Sequence, residues 1–136
     1  MTFRFVARAA GAEIDPDGDF VEAGVSERED GSGFALLFMC DGGEPDDQDI
    51  PLGLDTHCLV TAGQGTAYGC VREVVLTGNV LRVSLDPSAL AALRLEDPDI
   101  EVILEAPAAD TARFREVLPQ VLAYGREEAR PVCVAL

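Results

Sequence analysis

The order of hydrophobic and polar positions predicts a chain that is β-structure first and gains helices only in its second half. Near the start, Phe3, Phe5 and Ala7 alternate with residues that include two arginines. This alternation has the two-residue period of a half-buried strand. Residues 34–40 are apolar on both faces, as in a central strand. Further strands are predicted over residues 21–26, 56–62, 69–76, 80–85, 100–104 and 130–136.

Two helices are predicted beyond residue 85. Asp86 followed by Pro87 pairs a favoured N-cap with the residue favoured at the first helical position, and this predicts a short helix up to residue 95. A longer helix capped by Asp110 carries apolar residues on one stripe and ends at Gly125; Pro119 within it is expected to kink or divide it. The predicted fold class is α+β, with a mostly antiparallel sheet of about six to eight strands and two helices in the C-terminal half. Residues 1–136 have the length of a single domain, and we expect them to form one.

Charge changes this picture more than the rest of the composition does. The chain has 25 acidic and 10 basic residues and a net charge of −15, and every basic residue is Arg. Without Lys, a P-loop and Schiff-base catalysis are excluded. A field of this sign repels nucleic acid and anionic membranes, so neither is an expected partner, and it accelerates encounter with basic surfaces. Solubility alone is the competing explanation for the charge.

The acidic residues are concentrated in one window of the sequence. Residues 13–55 hold 14 of them against one base, which places −13 of the net charge there. The fourteen are Glu13, Asp15, Asp17, Asp19, Glu22, Glu27, Glu29, Asp30, Asp41, Glu44, Asp46, Asp47, Asp49 and Asp55. This concentration indicates one surface that is far more acidic than the others.

A loop rich in Gly, Pro and Asp is predicted over residues 41–55. It is long for a compact domain, and loops of this length are often functional. We expect its acidic and apolar side chains to contact a basic protein partner, since charge steers the encounter and apolar contact holds it. The predicted contact residues are Asp41, Glu44, Asp46, Asp47, Asp49, Ile50, Leu52 and Asp55. A solvated acidic loop with no partner is the alternative.

Candidates for catalysis or metal binding are few. His57 is the only His, and its neighbour Cys58 points to the opposite face of a strand, so the two cannot form a dyad; a hydrogen-bonded or solvent-facing structural role is favoured. The four Cys, at positions 40, 58, 70 and 133, form no CxxC pair, and the run 15–19 lacks the frame of a calcium loop. We therefore expect no catalytic residue, no metal and no cofactor.

The beginning of the sequence favours a cytoplasmic protein. Arg4 and Arg8 interrupt what a secretory signal would need as an unbroken apolar stretch, and no apolar run is long enough to span a membrane. In that compartment the cysteines are expected to be reduced thiols.

Four segments resemble the tenth immunity-protein family of bacterial polymorphic toxin systems: residues 30–34, 58–61, 68–71 and 122–125, with the sequences DGSGF, CLVT, YGCV and LAYG. The similarity covers nearly the whole chain, and its motifs are structural, not catalytic. The resemblance implies a cytoplasmic protein that binds and neutralises a cognate toxin domain. It implies neither the activity of the toxin nor a set of contact residues. If the toxin is a nuclease, its basic substrate-binding face would suit an acidic inhibitor.

The predicted function is therefore that of an immunity-type protein, which neutralises its toxin by occlusion and without catalysis, and whose partner has a basic surface. A homo-oligomeric small-ligand-binding or accessory domain is the alternative, and a homodimer stays open.

Overall fold

The structure, a computed structural model, describes residues 2–18, 20–30, 33–41, 56–61, 65–124 and 130–136. Ten strands in these residues form two five-stranded sheets. The strands are β1 (Thr2–Ala7), β2 (Ala9–Ile14), β3 (Phe20–Ser26), β4 (Ala35–Asp41), β5 (Cys58–Thr61), β6 (Thr66–Tyr68), β7 (Val71–Thr77), β8 (Val80–Leu85), β9 (Asp99–Leu104) and β10 (Cys133–Ala135). Sheet I has the order β1-β9-β8-β7-β10, and sheet II has the order β2-β3-β4-β5-β6.

Antiparallel pairing dominates both sheets. Among the described strands only β1 with β9 and β10 with β7 run parallel. A two-residue turn at Gly78 and Asn79 joins β7 to β8, with Gly78 at a φ of 63°. That hairpin follows the turn predicted from the sequence. The predicted α+β class and the mostly antiparallel pairing are confirmed, whereas the single domain over residues 1–136 stays a prediction.

The structure differs from the sequence prediction in the number of strands and in their division into two sheets. Two strands were missed: β2, whose sequence AAGAEI is mostly small residues without apolar alternation, and β6, which is only three residues long. The division follows from two places where the chain leaves one sheet for the other. It passes from β1 to β2 at Arg8, and from β6 to β7 through Gly69 and Cys70. Alternation along a strand carries no information about such crossings.

The first helical segment follows its predicted cap, and the second does not. The Asp86 carboxylate accepts a hydrogen bond of 3.0 Å from the Ser88 backbone N–H, as predicted for an N-cap, and a 3-10 turn (Pro87–Ala89) leads into the one-turn helix α1 (Leu90–Leu93). Arg94, at a φ of 59°, ends that helix. The second helix, α2 (Ala108–Leu122), begins two residues before Asp110, so the predicted Asp110 cap is wrong: Pro107 is at the N-cap, and Asp110 lies in the first turn, where a negative charge is still favourable. The helix contains Pro119 and is not divided by it.

Both sheets and α2 contribute to one hydrophobic core. Helix α2 packs across β2, β3 and β4, and the rings of Phe38 and Phe114 lie 6.4 Å apart there. The buried stripe of α2 consists of Phe114, Val117, Leu118, Val121 and Leu122. Burying each such side chain stabilises the fold by about 1.5–3 kcal/mol. The face of sheet II that carries Phe38 is therefore the core face.

Candidate partner-binding surface

The contact residues predicted from the sequence are joined to one end of sheet II. Asp41 ends β4, where its backbone lies opposite Phe20 of β3. The remaining seven predicted residues lie outside the described part of the chain: Glu44, Asp46, Asp47, Asp49, Ile50, Leu52 and Asp55. The chain is described again from Thr56, just before β5 begins at Cys58. Since β4 and β5 are antiparallel neighbours, the end of β4 at Asp41 and the start of β5 at Cys58 lie at the same end of sheet II.

Other acidic residues of the 13–55 window reach the same end of the sheet. The turn between β2 and β3 lies there and carries Asp15 and Asp17. Glu13 and Glu22 lie two strand positions or fewer from that turn. The tertiary structure thus places Glu13, Asp15, Asp17 and Glu22 beside Asp41, where the predicted binding loop begins. We call this end of sheet II the acidic end.

Glu13 and Glu22 form a like-charge pair across two strands. The register of β2 and β3 sets them directly opposite each other, so their side chains project from the same face. Glu13 is exposed and Glu22 is half-buried. Partial burial, and secondarily the charge of Glu13, raise the pKa of Glu22 above its ordinary value. In the described part of the chain no arginine forms an ion pair with either carboxylate.

This pair was not singled out by sequence reasoning. Both residues were counted in the acidic window, and Glu22 was placed on the polar face of its strand. What was missing was the partner strand, because β2 has no hydrophobic alternation that would predict it. Only the register shows that the two carboxylates meet.

His57 has the structural role that was favoured, in a buried site. It is 0% exposed, and its Nε2 accepts a hydrogen bond of 3.1 Å from the backbone N–H of Val71. Its Nδ1 lies 3.4 Å from Oγ1 of Thr56. Burial, and secondarily the nearby charge of Arg72, lower the pKa of His57 to about 4. The ring is therefore neutral at physiological pH, and its free lone pair is occupied by a backbone donor.

The cysteines near His57 are poor nucleophiles. Cys58 and Cys70 are buried free thiols, and burial raises the pKa of both, for Cys70 to about 12. A thiol with a pKa that high carries almost no thiolate at neutral pH. No cluster of three or more His, Cys, Asp or Glu side chains that could hold a metal ion occurs within the described residues.

A second concave feature lies far from the acidic end. A cleft of about 620 Å³ opens between α2, the β7–β8 turn and the end of β9. Its walls are mainly apolar, from Leu76, Leu104, Ala112 and Pro119, with the Arg115 side chain among them. A volume of this size falls in the range of small-ligand pockets, about 300–1,000 Å³.

A comparison with protein families decides where the chain belongs. The family model for Immunity protein 10 matches residues 6–112. The chain is a member of this family. The match to Immunity protein 10 covers more than three-quarters of the 136 residues and confirms the resemblance to the family; of the four segments that carried it, residues 30–34, 58–61 and 68–71 lie within the match and residues 122–125 lie outside it. It includes Glu13, Glu22, His57 and the whole of residues 41–55. Membership indicates an immunity protein, a class for which a non-catalytic role and a toxin partner are implied in general.

No curated protein and no solved structure matches the chain. Among the described residues, no helix has the length and apolar character needed to cross a membrane.

Proposed function

We propose that this chain binds a cognate bacterial toxin domain and neutralises it by occlusion, without catalysis. The observation that carries the proposal is the match of residues 6–112 to the Immunity protein 10 family. The partner is a domain with a basic surface, and the two proteins meet in the cytoplasm. Under this proposal the chain lowers toxin activity in a one-to-one complex and undergoes no turnover.

The distribution of charge supports a basic partner. Thirteen of the fifteen net negative charges come from residues 13–55. In the described part of that window, Glu13, Asp15, Asp17 and Glu22 lie at the acidic end of sheet II with Asp41. The other described acids, Glu27, Glu29 and Asp30, lie at the opposite end, between β3 and β4. A single-sign field raises association rates with an oppositely charged surface and loses its reach as salt is added. We propose Asp41 to Asp55 as the contact segment at this end.

The state of His57 supports inhibition without catalysis. A general base needs an accessible lone pair and a pKa near the working pH. His57 is 0% exposed, and its Nε2 already accepts a hydrogen bond from Val71. Replacing His57 with Gln therefore has no effect on neutralisation beyond any change in stability.

The proposal is tested by co-expression with the toxin domain encoded beside this chain, scored by cell survival and by the affinity of the purified pair. We expect the wild-type chain to rescue the cells. A triple variant in which Asp46, Asp47 and Asp49 become Asn is expected to rescue them less well. The matched control neutralises three acids outside the 13–55 window, Glu96→Gln, Asp97→Asn and Glu105→Gln, and it is expected to rescue fully. Toxicity without rescue by the wild-type chain contradicts the proposal.

A second candidate function is the binding of a small ligand, and the cleft beside α2 favours it. Its mainly apolar lining, which also includes Arg115 and Glu116, suits an apolar molecule with a polar group. Native mass spectrometry of the purified protein tests this alternative. A small molecule retained at one per chain, and lost in the Arg115→Ala variant, would support it over toxin neutralisation.

A further inference from the structure

Only one of the two faces of sheet II is covered by a described helix. Helix α2 packs against the core face that carries Phe38. Successive strand residues point to opposite sides, so Gly11, Gly24 and Leu37, which lie side by side in the register, belong to the opposite face. No described helix packs on that face. We call it the outer face of sheet II.

The outer face contains an apolar trough with a floor of glycine. The trough has a volume of about 220 Å³, and its described lining residues come from β2, β3 and β4. Its lining residues are Ala9, Ala10, Gly11, Gly24, Val25, Ser26, Ala35, Leu36 and Leu37. An enclosed apolar cavity of roughly 150 Å³ holds a benzene molecule, so the trough has room for one large apolar side chain.

The two glycines of the floor have different relations to their neighbours. A Cβ on Gly24 would lie 3.1 Å from Cδ1 of Leu37, so the absence of a side chain at Gly24 makes room for Leu37. A Cβ on Gly11 would meet nothing within 4 Å. Packing within the described chain therefore gives no reason for glycine at position 11, and glycine inside a strand weakens it by about 0.5–1 kcal/mol relative to Ala. A glycine in a strand often marks a place where another molecule approaches the backbone closely.

The charge at one end of the trough indicates the occupant. On the same face, the pair Glu13 and Glu22 lies next to the pair Gly11 and Gly24. The two pairs are separated by two strand positions, or about 7 Å. Like charges directly opposite each other destabilise a sheet, and a cation between them removes that repulsion. A second copy of the chain carries the same two carboxylates on this face and the same net charge of −15, and this like charge disfavours a dimer. A basic protein fits it.

We propose that the trough on the outer face receives an apolar side chain of the toxin domain, while a neighbouring Lys or Arg of the same partner lies between Glu13 and Glu22. This inference rests on the proposed function and adds a second contact surface, continuous with the acidic end. The apolar side chain supplies the buried centre of the contact, and the carboxylates supply an ion pair at its rim.

Gly11→Val is the main test, because it puts a side chain into the trough at a position where a Cβ has no described atom within 4 Å. Val suits a strand, so we expect the variant to be folded and at least as stable as the wild type. Its affinity for the toxin domain, measured by calorimetry, is expected to fall by about tenfold or more. The control is Thr77→Val, which places the same Val side chain at an exposed position of β7 in sheet I, where it replaces the Thr hydroxyl by a methyl group. It is expected to bind as the wild type does.

A second variant, Glu13→Gln with Glu22→Gln, tests the ion pair separately and leaves the trough open. We expect weaker binding and a smaller loss of affinity between low and high salt than the wild type shows. If both variants bind as tightly as the wild type, the outer face is not a contact surface, while the proposed function still stands. If the wild-type chain itself fails to bind the toxin domain, the proposed function fails.

Discussion

The backbone N–H of Val71 donates a hydrogen bond of 3.1 Å to Nε2 of His57, and this bond links the two sheets. Val71 begins β7 of sheet I, and His57 directly precedes β5 of sheet II. A second bond, 2.9 Å from the Gly69 N–H to the His57 carbonyl, fixes the same corner. Because Nε2 accepts, the proton of the neutral ring is on Nδ1, toward Thr56.

This arrangement predicts a loss of stability in mild acid. The pKa of His57 is about 4 in the folded chain and 6.5 in an unfolded one, so the unfolded state binds the proton first as pH falls. The contribution of neutral His57 is complete above 6.5 and declines toward 4, by about 3 kcal/mol in all. Urea unfolding at a series of pH values measures it. Gln at position 57 can accept from Val71 without titrating, so His57→Gln should lose less stability than the wild type over this range. Equal losses would contradict the role given to His57.

Gly11 and Gly65 are expected to respond in opposite ways to substitution by Ala. A Cβ on Gly65 would lie 2.5 Å from the backbone of Leu93, so Gly65→Ala forces backbone to move and should cost about 1–3 kcal/mol. Gly11→Ala has open space and should stabilise by about 0.4–1 kcal/mol. Chemical denaturation of the two variants side by side tests the pair. An unchanged free energy of unfolding for Gly65→Ala would contradict the close approach of Gly65 to the backbone of Leu93.

Removing a charge from the Glu13–Glu22 pair should stabilise the isolated protein. The raised pKa of Glu22 means that its ionised form is disfavoured in the folded state, so Glu22→Gln should raise the thermal midpoint at pH 7. The gain should shrink as pH falls, since Glu22 is then protonated in the wild type as well. Glu101→Gln is the control, because the Glu101 carboxylate is paired with Arg4 at 3.0 Å and its loss should give no such gain.

The thiols should react at very different rates in the native protein. Cys133 is exposed, whereas Cys58 and Cys70 are 7% and 2% exposed and have raised pKa values. Alkylation followed by mass spectrometry is expected to modify Cys133 first and to leave Cys58 and Cys70 unmodified until the protein is unfolded. The Cys133→Ser variant should lack the fast step. Early labelling of Cys70 in the native state would contradict the packing at the corner between the sheets.

The aromatic contact between sheet II and α2 should carry a large part of the stability. Phe38 and Phe114 are 0% and 1% exposed, and truncating either ring leaves a cavity in the core. Phe38→Ala is expected to cost about 3–5 kcal/mol. A double-mutant cycle with Phe114→Ala should give a coupling of about 0.5–1.5 kcal/mol. Additive losses would show that the two rings do not interact.

Sequence patterns predicted the elements that have strong local signals. The Asp86 cap, the turn at Gly78 and the apolar stripe of α2 each depend on residues within a few positions of one another, and all three were predicted correctly. β2 was missed because Ala and Gly form a strand there only through pairing with β3 on one side and packing against α2. Propensity cannot predict a strand that tertiary contacts impose.

The candidate site divides in the same way. The sequence alone was enough to count the acids in residues 13–55. It also showed that His57 and the Cys residues form no motif with catalytic or metal-ligand spacing. The pairing of Glu13 with Glu22, and of Gly11 with Gly24, required the register of β2 against β3. Those two pairs define the proposed contact surface, which the acidic composition alone does not.

By itself the sequence determined the α+β class, the net charge of −15 and the family, because each is carried by local patterns or by the identity of residues. The tertiary structure alone decided that the strands form two sheets, that His57 is buried between them, and that two carboxylates meet beside a glycine floor. The physical reason is that these features are contacts between residues distant along the chain. Such contacts are chosen by the joint packing of all elements, and no short segment encodes them.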